Sequence, residues 1–170
     1  MELKLLKNIW KTDESYLGFY CTNIFKSSVI YPNLKELLNN NILKEEEFCD
    51  VSHSRKEKKM NSDYYGAFIK NKIDESDFIK LNFEELKSKI SEYWQDDNWG
   101  SDLPIFKKNF DLALSDLRDF DLNNREYFYI EIEELNPDKI IDPNFFVYLV
   151  CVISIEEKSN KIITLTFGLD

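Results

Sequence analysis

Glycine, proline, cysteine and histidine are scarce: the 170-residue chain has four, four, three and one of them, respectively. So few glycines leave no glycine-rich loop of the kind that cradles phosphate groups. Cys21, Cys49 and Cys151 are odd in number and lack Cys-x-x-Cys spacing, which argues against a disulfide framework or a zinc knuckle. His53 is the only histidine and lies in the hydrophilic stretch SHSRKEKK, which disfavours a catalytic histidine and a His/Cys zinc site. We expect reduced thiols, no metal and no cofactor.

Long apolar runs are absent as well. No stretch reaches the roughly 18 apolar residues that a membrane-spanning helix needs. The start, MELKLLKNIWKTDES, alternates apolar and charged residues and lacks the pattern of a signal peptide. A cytoplasmic protein without membrane contact is therefore expected. Direct nucleic-acid binding is disfavoured, because the one basic stretch, 55–59, is short and the net charge of −10 repels phosphate.

The chain nevertheless has the material for a large core. Apolar residues make up 43% of the sequence and aromatic residues 15%, which argues against disorder of the whole chain. No linker rich in proline, glycine or serine divides it, and no internal repeat is visible. The length and the absence of a boundary predict one domain over 1–170.

Three segments carry the local signals of helices. Pro32 before NLKELL predicts a helix start, and the asparagine run 39–41 predicts its end. Asn82, with Glu85 three residues later, predicts a capping box that opens the helix FEELKSKISEYW. A third helix is predicted over about 104–120. Its core-facing side is predicted to consist of Phe106, Phe110, Ala113, Leu117 and Phe120.

The C-terminal third has the patterns of strands. Residues 126–133 (EYFYIEIE) alternate, so that Tyr127, Tyr129, Glu131 and Glu133 are predicted to share one face. The nearly continuous apolar run 145–155 is typical of a central strand covered on both faces. Residues 161–167 follow a polar turn and predict a last strand that closes a hairpin.

The remaining segments carry weaker signals of secondary structure. Short strands are predicted at 64–69 and 78–81, whereas 2–10 and 14–25 fit either a helix or a strand. The order of these elements predicts an α+β fold. In that fold, helices in the N-terminal two thirds pack on a C-terminal antiparallel sheet.

Nearly all the net charge lies in one part of the chain. Residues 84–142 hold 16 Asp/Glu against 7 Lys/Arg, whereas residues 1–83 hold 13 of each. A concentrated negative field predicts a basic protein partner, because charge raises the rate of encounter and aromatic anchors supply much of the bound-state energy. The candidate partner-binding residues are Trp99, Asp111, Asp116, Asp119, Glu131 and Glu133. A surface that merely keeps the protein soluble explains the same pattern equally well.

The same acidic residues give little support for a metal-binding or catalytic site. The loop around Gly100 fails the EF-hand pattern, because Gln95 and Trp99 fall where oxygen ligands are needed. Acid/base carboxylate pairs can be posed for Glu131 with Glu133, or for Asp116 with Asp119, but no signal marks a cleft between them. We therefore expect no catalytic residues, and an enzyme of unrecognised type stays an open alternative.

In overall character the chain resembles bacterial immunity proteins of polymorphic-toxin and contact-dependent inhibition systems. The resemblance rests on an acidic, aromatic-rich single domain and on the hairpin-like ending FFVYLVCVISIEEKSNKIITLTFGLD. It implies a cytosolic antidote that binds a cognate toxin domain, often a basic nuclease, and blocks its active site. It implies no particular binding residue. The alternatives are an acidic DNA mimic that inhibits a DNA-binding protein, and a small regulatory or structural subunit.

Overall fold

The computed structural model describes residues 1–12, 18–43, 63–92, 95, 103–142, 144, 146 and 148–169. The strands are β1 (Leu3–Thr12), β2 (Gly18–Ser27), β3 (Tyr64–Tyr65), β4 (Phe68–Ile69), β5 (Ile79–Leu81), β6 (Arg125–Glu131), β7 (Tyr148–Glu156) and β8 (Lys161–Leu169). The helices are α1 (Leu34–Asn39), α2 (Phe83–Glu92) and α3 (Leu103–Asp116). Cys49, His53, Trp99 and the loop around Gly100 lie outside the described residues.

An antiparallel sheet of six strands dominates the structure, in the order β1-β2-β8-β7-β6-β5. Strand β2 pairs with β8 along its whole length, from Gly18 opposite Leu169 to Lys26 opposite Lys161. The predicted α+β arrangement is therefore wrong, because the N-terminal two thirds is not a helical layer and contributes β1, β2 and β5 to the sheet. Residues 18–27 are rich in β-branched and aromatic side chains, which are stabilised most in a strand that has a neighbouring strand on each side.

Both faces of this sheet are buried. On one face, which we call the helical face, Leu86 and Ile90 of α2 and Phe106 and Phe110 of α3 pack on the strands. The opposite face is covered by α1 and by the connecting segments around β3 and β4. A sheet covered on both sides has continuous apolar strands. Strand β7 confirms this, since all its residues before Glu156 are buried, as its sequence predicts.

The capping box predicted for α2 is confirmed at the level of single hydrogen bonds, whereas α1 is capped by Asn33, one residue after the Pro32 predicted to open it. The side chain of Asn33 accepts from the Glu36 N–H at 2.8 Å and caps α1. The side chain of Asn82 accepts from the Glu85 N–H at 2.9 Å, and Glu85 returns a bond to the Asn82 N–H at 2.7 Å. Helix α3 ends at Asp116, four residues before the predicted end, and continues as a turn.

The segment 64–69 was predicted as one strand, and this prediction is wrong. It forms the tight hairpin β3–β4, whose turn contains Gly66 at a φ of 59°. Glycine tolerates this left-handed conformation without steric cost. Strand β5 pairs with β6 in the main sheet, Lys80 opposite Phe128.

Gly168 lies so close to the Phe19 ring that there is no room for a side chain at position 168. It lies opposite Phe19 across β2 and β8, and a Cβ atom at this position would overlap the Phe19 ring. That ring cannot move freely, because it stacks on Trp10 at 4.8 Å between centroids and meets Phe146 edge-on at 5.9 Å.

We expect Gly168→Ala to lower the free energy of unfolding by about 1–3 kcal/mol, the usual cost of overpacking a core. Urea unfolding followed by tryptophan fluorescence measures the change. In a Phe19→Leu background the same substitution should cost less, because leucine lacks the ring that collides with the new methyl group. Equal costs in the two backgrounds would show that the collision is not the cause.

Candidate protein-binding surface

Exposed charge is distributed very unevenly over the chain. Among the described residues of 84–142, ten carboxylates are exposed but only two cations, Lys108 and Arg118. We call these ten residues the acidic surface: Glu84, Glu85, Glu92, Asp111, Asp119, Asp121, Glu133, Glu134, Asp138 and Asp142. In the described part of 1–83, by contrast, five exposed acids are matched by seven exposed lysines. Exposed acids therefore outnumber exposed bases on α2 and in the turns that follow α3 and β6, whereas α3 itself carries one of each. These positions do not form a single face, because α2 and α3 pack on the helical face whereas Ile140 and Ile141 pack on the opposite one.

Several cations of the same region are directed away from this surface. Arg125 is buried and pairs with Glu156 at 3.2 Å, and Lys139 pairs with Asp77 at 2.7 Å. Neither of those two carboxylates belongs to the acidic surface. Within the acidic surface, Lys87 pairs with Glu84 at 2.7 Å and Lys72 lies 4.0 Å from Asp138. These pairs compensate part of its charge, and the remaining exposed carboxylates keep the potential negative.

Lys89 of α2 gathers three carboxylates at one edge of the acidic surface. Its Nζ lies 2.8 Å from Glu134, 3.3 Å from Glu131 and 3.4 Å from Glu92. The hydrogen bond to Glu134 and the charges of Glu131 and Glu134 raise the pKa of Lys89, so it stays a cation. One lysine beside three carboxylates leaves this part of the molecule with a net negative charge.

Glu131 is the buried member of that group. It is 6% exposed and accepts a hydrogen bond from the Tyr129 hydroxyl at 2.6 Å. Burial, with the neighbouring Glu134 carboxylate, raises the pKa of Glu131 from 4.5 to about 7. Bonds from Glu131 and Lys89 lower the pKa of Glu134, which is the member of the pair that carries the charge.

Asp116 has a comparable internal role at the end of α3. The buried Tyr20 hydroxyl donates to its carboxylate at 2.6 Å, and Lys11 Nζ lies 3.6 Å from the same oxygen. Burial and the hydrogen bond to Asp116 raise the pKa of Tyr20, so the phenol stays protonated. Asp116 thus ties α3 to β1 and β2 and is half-buried.

The six predicted contact residues therefore separate into three groups. Asp111, Asp119 and Glu133 are exposed and belong to the acidic surface. Asp116 and Glu131 are held inside the fold by the contacts above, and Trp99 lies outside the described residues. The prediction missed Glu134, although the acidic pair 133–134 directly before Asn136-Pro137 signals a turn, where side chains are exposed.

Several other features of the described residues bear on catalysis, metal binding and ligand binding. The acid/base pair considered from the sequence required Glu133 beside Glu131. The carboxylate that acts on the Glu131 pKa is instead that of Glu134. Within the described ranges, no group of three His, Cys, Asp or Glu side chains is placed to hold a metal ion. Cys21 and Cys151 are buried and neither forms a disulfide, and burial raises the pKa of Cys151 to about 12, which disfavours a reactive thiolate. A cleft of about 300 Å³ is lined by Leu38, Asn39, Asn41, Leu43, Asp63, Lys70, Asn71 and Ile73.

Over the described helices, none is long and apolar enough to cross a membrane. Comparison with protein-family models found no match. Searches for similar curated proteins and for similar solved structures found no match either, so every functional conclusion rests on the residues of this chain.

Proposed function

We propose that this chain is an immunity protein, which binds the basic surface of a cognate bacterial toxin domain and blocks its active site. The observation that carries the proposal is the unequal exposure of charge: ten carboxylates against two cations in the described part of 84–142. The proposal needs no catalytic group on this chain, because neutralisation follows from occupying the toxin. It places the protein in the bacterial cytoplasm, where such a toxin would act.

Electrostatic attraction accounts for how this protein would find its partner. A concentrated negative surface accelerates association with a basic protein to about 10⁸–10⁹ M⁻¹s⁻¹ at low salt, against about 10⁵–10⁶ for neutral surfaces. The effect is screened over about 10 Å at 0.1 M salt, so the association rate should fall steeply as salt is added. Fast capture suits an antidote that must act before its toxin does.

The first observation is whether the adjacent upstream gene ends in a toxin-like C-terminal domain, as the proposal expects. The experiment then uses the purified protein and that domain. Asp111→Lys with Asp119→Lys reverses two charges of the acidic surface. Glu2→Lys with Glu75→Lys makes the same change at two exposed acids elsewhere in the fold. We expect the first pair to slow association about tenfold or more at low salt and the second pair to slow it far less. Stopped-flow association rates over a salt series measure both.

Two results would count against the proposal. An association rate that does not change with salt would show that charge does not guide the encounter. Equal slowing by the two variants would show that net charge matters and the acidic surface does not. If the wild-type protein does not bind the neighbouring domain at all, the proposed partner is wrong.

A further inference from the structure

Three consecutive apolar side chains are exposed at one end of the sheet. Val29, Ile30 and Tyr31 follow β2 and are 39%, 66% and 41% exposed, respectively. We call these three residues the knuckle. In the described part of the chain only Leu6 and Ile79 are large apolar residues of comparable exposure, and both are isolated in sequence from other such residues. A contiguous apolar patch on the surface of a protein marks an interaction site more often than scattered single residues do.

Hydrogen bonds hold the backbone of the knuckle in place. The Tyr31 N–H donates to the Ser159 carbonyl at 2.7 Å, the Ser28 N–H to the Glu2 carbonyl at 2.9 Å, and the Val29 N–H to Ser27 Oγ at 2.9 Å. Tyr31 itself has a φ of 50°, in the left-handed region that a bulky residue rarely adopts. A strained conformation of this kind persists only where the surroundings impose it, and such residues cluster at binding sites. The knuckle is thus fixed before any partner arrives, which lowers the entropic cost of binding.

The polar surroundings of the knuckle favour a protein over a lipid surface. The Tyr31 hydroxyl donates to Glu126, which also pairs with Lys80, and Glu157 lies near enough to affect the Tyr31 pKa. Exposed Lys158 adjoins Glu157, so the rim carries both signs of charge, as the rim of a protein interface does. Carboxylates beside the apolar tip would be repelled by an anionic membrane. Asp121 of the acidic surface lies in the turn before β6, and Arg125 at the start of β6 donates to the Lys161 carbonyl opposite Lys26, so the knuckle and this turn lie at the same end of the sheet.

We propose that the knuckle is the apolar anchor of the interface with the basic partner, and that Ile30 and Tyr31 enter an apolar pocket on that protein. This inference rests on the proposed function. The two parts of the interface would then have separate kinetic roles. Charges on the acidic surface set the rate of association, whereas a buried apolar or aromatic anchor sets the rate of dissociation.

The test compares Ile30→Ser with Ile79→Ser, which removes an exposed isoleucine from β5 without changing the net charge. Surface plasmon resonance against the toxin-like domain of the neighbouring gene measures both rate constants. We expect Ile30→Ser to raise the dissociation rate about 10–100-fold, the range of effects seen for anchors of an interface, with the association rate nearly unchanged. Ile79→Ser should leave both rates unchanged. Thermal unfolding of both variants checks that neither effect reflects loss of the fold.

The outcomes separate this inference from the function on which it rests. Normal dissociation of both Ile30→Ser and Tyr31→Ser, together with slowed association of the acidic-surface variants, would overturn the knuckle as anchor and leave the proposed function standing. If the wild-type protein does not bind that domain, a photo-crosslinking amino acid is placed at position 30, or at position 79 as the control. Crosslinking is then carried out in the cells that produce the protein. A product specific to position 30 supports the anchor if the purified captured protein loses affinity with Ile30→Ser. No product specific to position 30 overturns it.

Discussion

Replacing Arg125 with alanine is expected to lower the free energy of unfolding by about 3–5 kcal/mol, because it removes one member of a buried, hydrogen-bonded ion pair. The Arg125 side chain has no exposed surface. Its Nε donates to Ser154 Oγ at 2.7 Å, and its NH2 nitrogen donates to the carbonyls of Ser154 and Lys161 at 3.2 and 3.0 Å. Alanine would remove the donors to these three acceptors and leave Glu156 without its cation, and each buried group that loses a partner adds to the cost.

Urea unfolding at neutral pH measures this loss, and two further variants show which contact causes it. Arg125→Lys keeps a positive charge for Glu156 but lacks the planar fork that reaches both carbonyls, so most of the loss should remain. Glu156→Gln should cost much less, because the Glu156 side chain is 24% exposed and water can replace its partner. A loss below about 1 kcal/mol for Arg125→Ala would show that water satisfies the freed carbonyls, contrary to their burial.

The helices were predictable because their signals are local. Each capping box joins residues three apart, Asn33 with Glu36 and Asn82 with Glu85, and so can be read within one short window of sequence. The apolar spacing of Phe106, Phe110 and Ala113 is equally local and correctly marks the buried side of α3. The strongly apolar β7 and the polar turn before β8 identified the C-terminal hairpin for the same reason.

The N-terminal half of the sheet was not predictable from local pattern. Tyr20 and Ile24 are four residues apart, as on one face of a helix, yet their alternation with β-branched and aromatic residues also fits a strand. What decides between the two is pairing with β8, in which Tyr20 lies opposite Phe167 near the other end of the chain. No local window of sequence contains both partners, so the contribution of β2 to the sheet, and with it the fold, could not be derived.

The exposure of the candidate residues depends on tertiary packing in the same way. Alternation correctly placed Tyr127, Tyr129 and Glu131 on one face of β6, but alternation does not say what covers a face. Leu86 and Ile90 of α2 pack on it, so the tyrosines and Glu131 are buried and not offered to a partner. Asp111 was placed correctly because it lies opposite the apolar side of α3, which is a local property. Asp119 is exposed as predicted, but it lies in the turn that follows α3.

The buried carboxyl of Glu131 predicts an unusual dependence of stability on pH. Its folded-state pKa of about 7 lies above the ordinary value of 4.5, so the folded protein holds this proton more tightly than the unfolded chain. The stabilisation that follows is complete below pH 4.5 and is lost as the pH rises through about 7. Since one pKa unit corresponds to about 1.4 kcal/mol, the effect is limited to about 3 kcal/mol.

Glu131→Gln should therefore be more stable than the wild type at pH 8 and about equal to it near pH 4. Glutamine cannot ionise, and its carbonyl oxygen can still accept the bond that the Tyr129 hydroxyl makes at 2.6 Å. The difference in unfolding free energy between the two proteins, measured by urea unfolding at several pH values, should grow steadily over this interval. Glu134→Gln is the matched control with the opposite sign. The pKa of Glu134 is lowered, so the stability due to its charge is present above the unfolded pKa and is lost as the pH falls.

The charges around Glu131 determine whether it is ionised or protonated in the folded protein, and the experiment distinguishes these two states. Lys89, 3.3 Å away, favours the ionised carboxylate, whereas burial and the charge of Glu134 favour the protonated form. If Glu131→Gln is less stable than the wild type at pH 8, attraction by Lys89 outweighs burial, and Glu131 is an anion in the folded protein. In that case all three carboxylates around Lys89 would carry charge at neutral pH and would add to the negative field beside Glu133 and Glu134. If the stability of Glu134→Gln falls as the pH rises through about 7 and that of Glu131→Gln does not, the proton resides on Glu131 and the negative charge resides on exposed Glu134, where a basic partner can reach it.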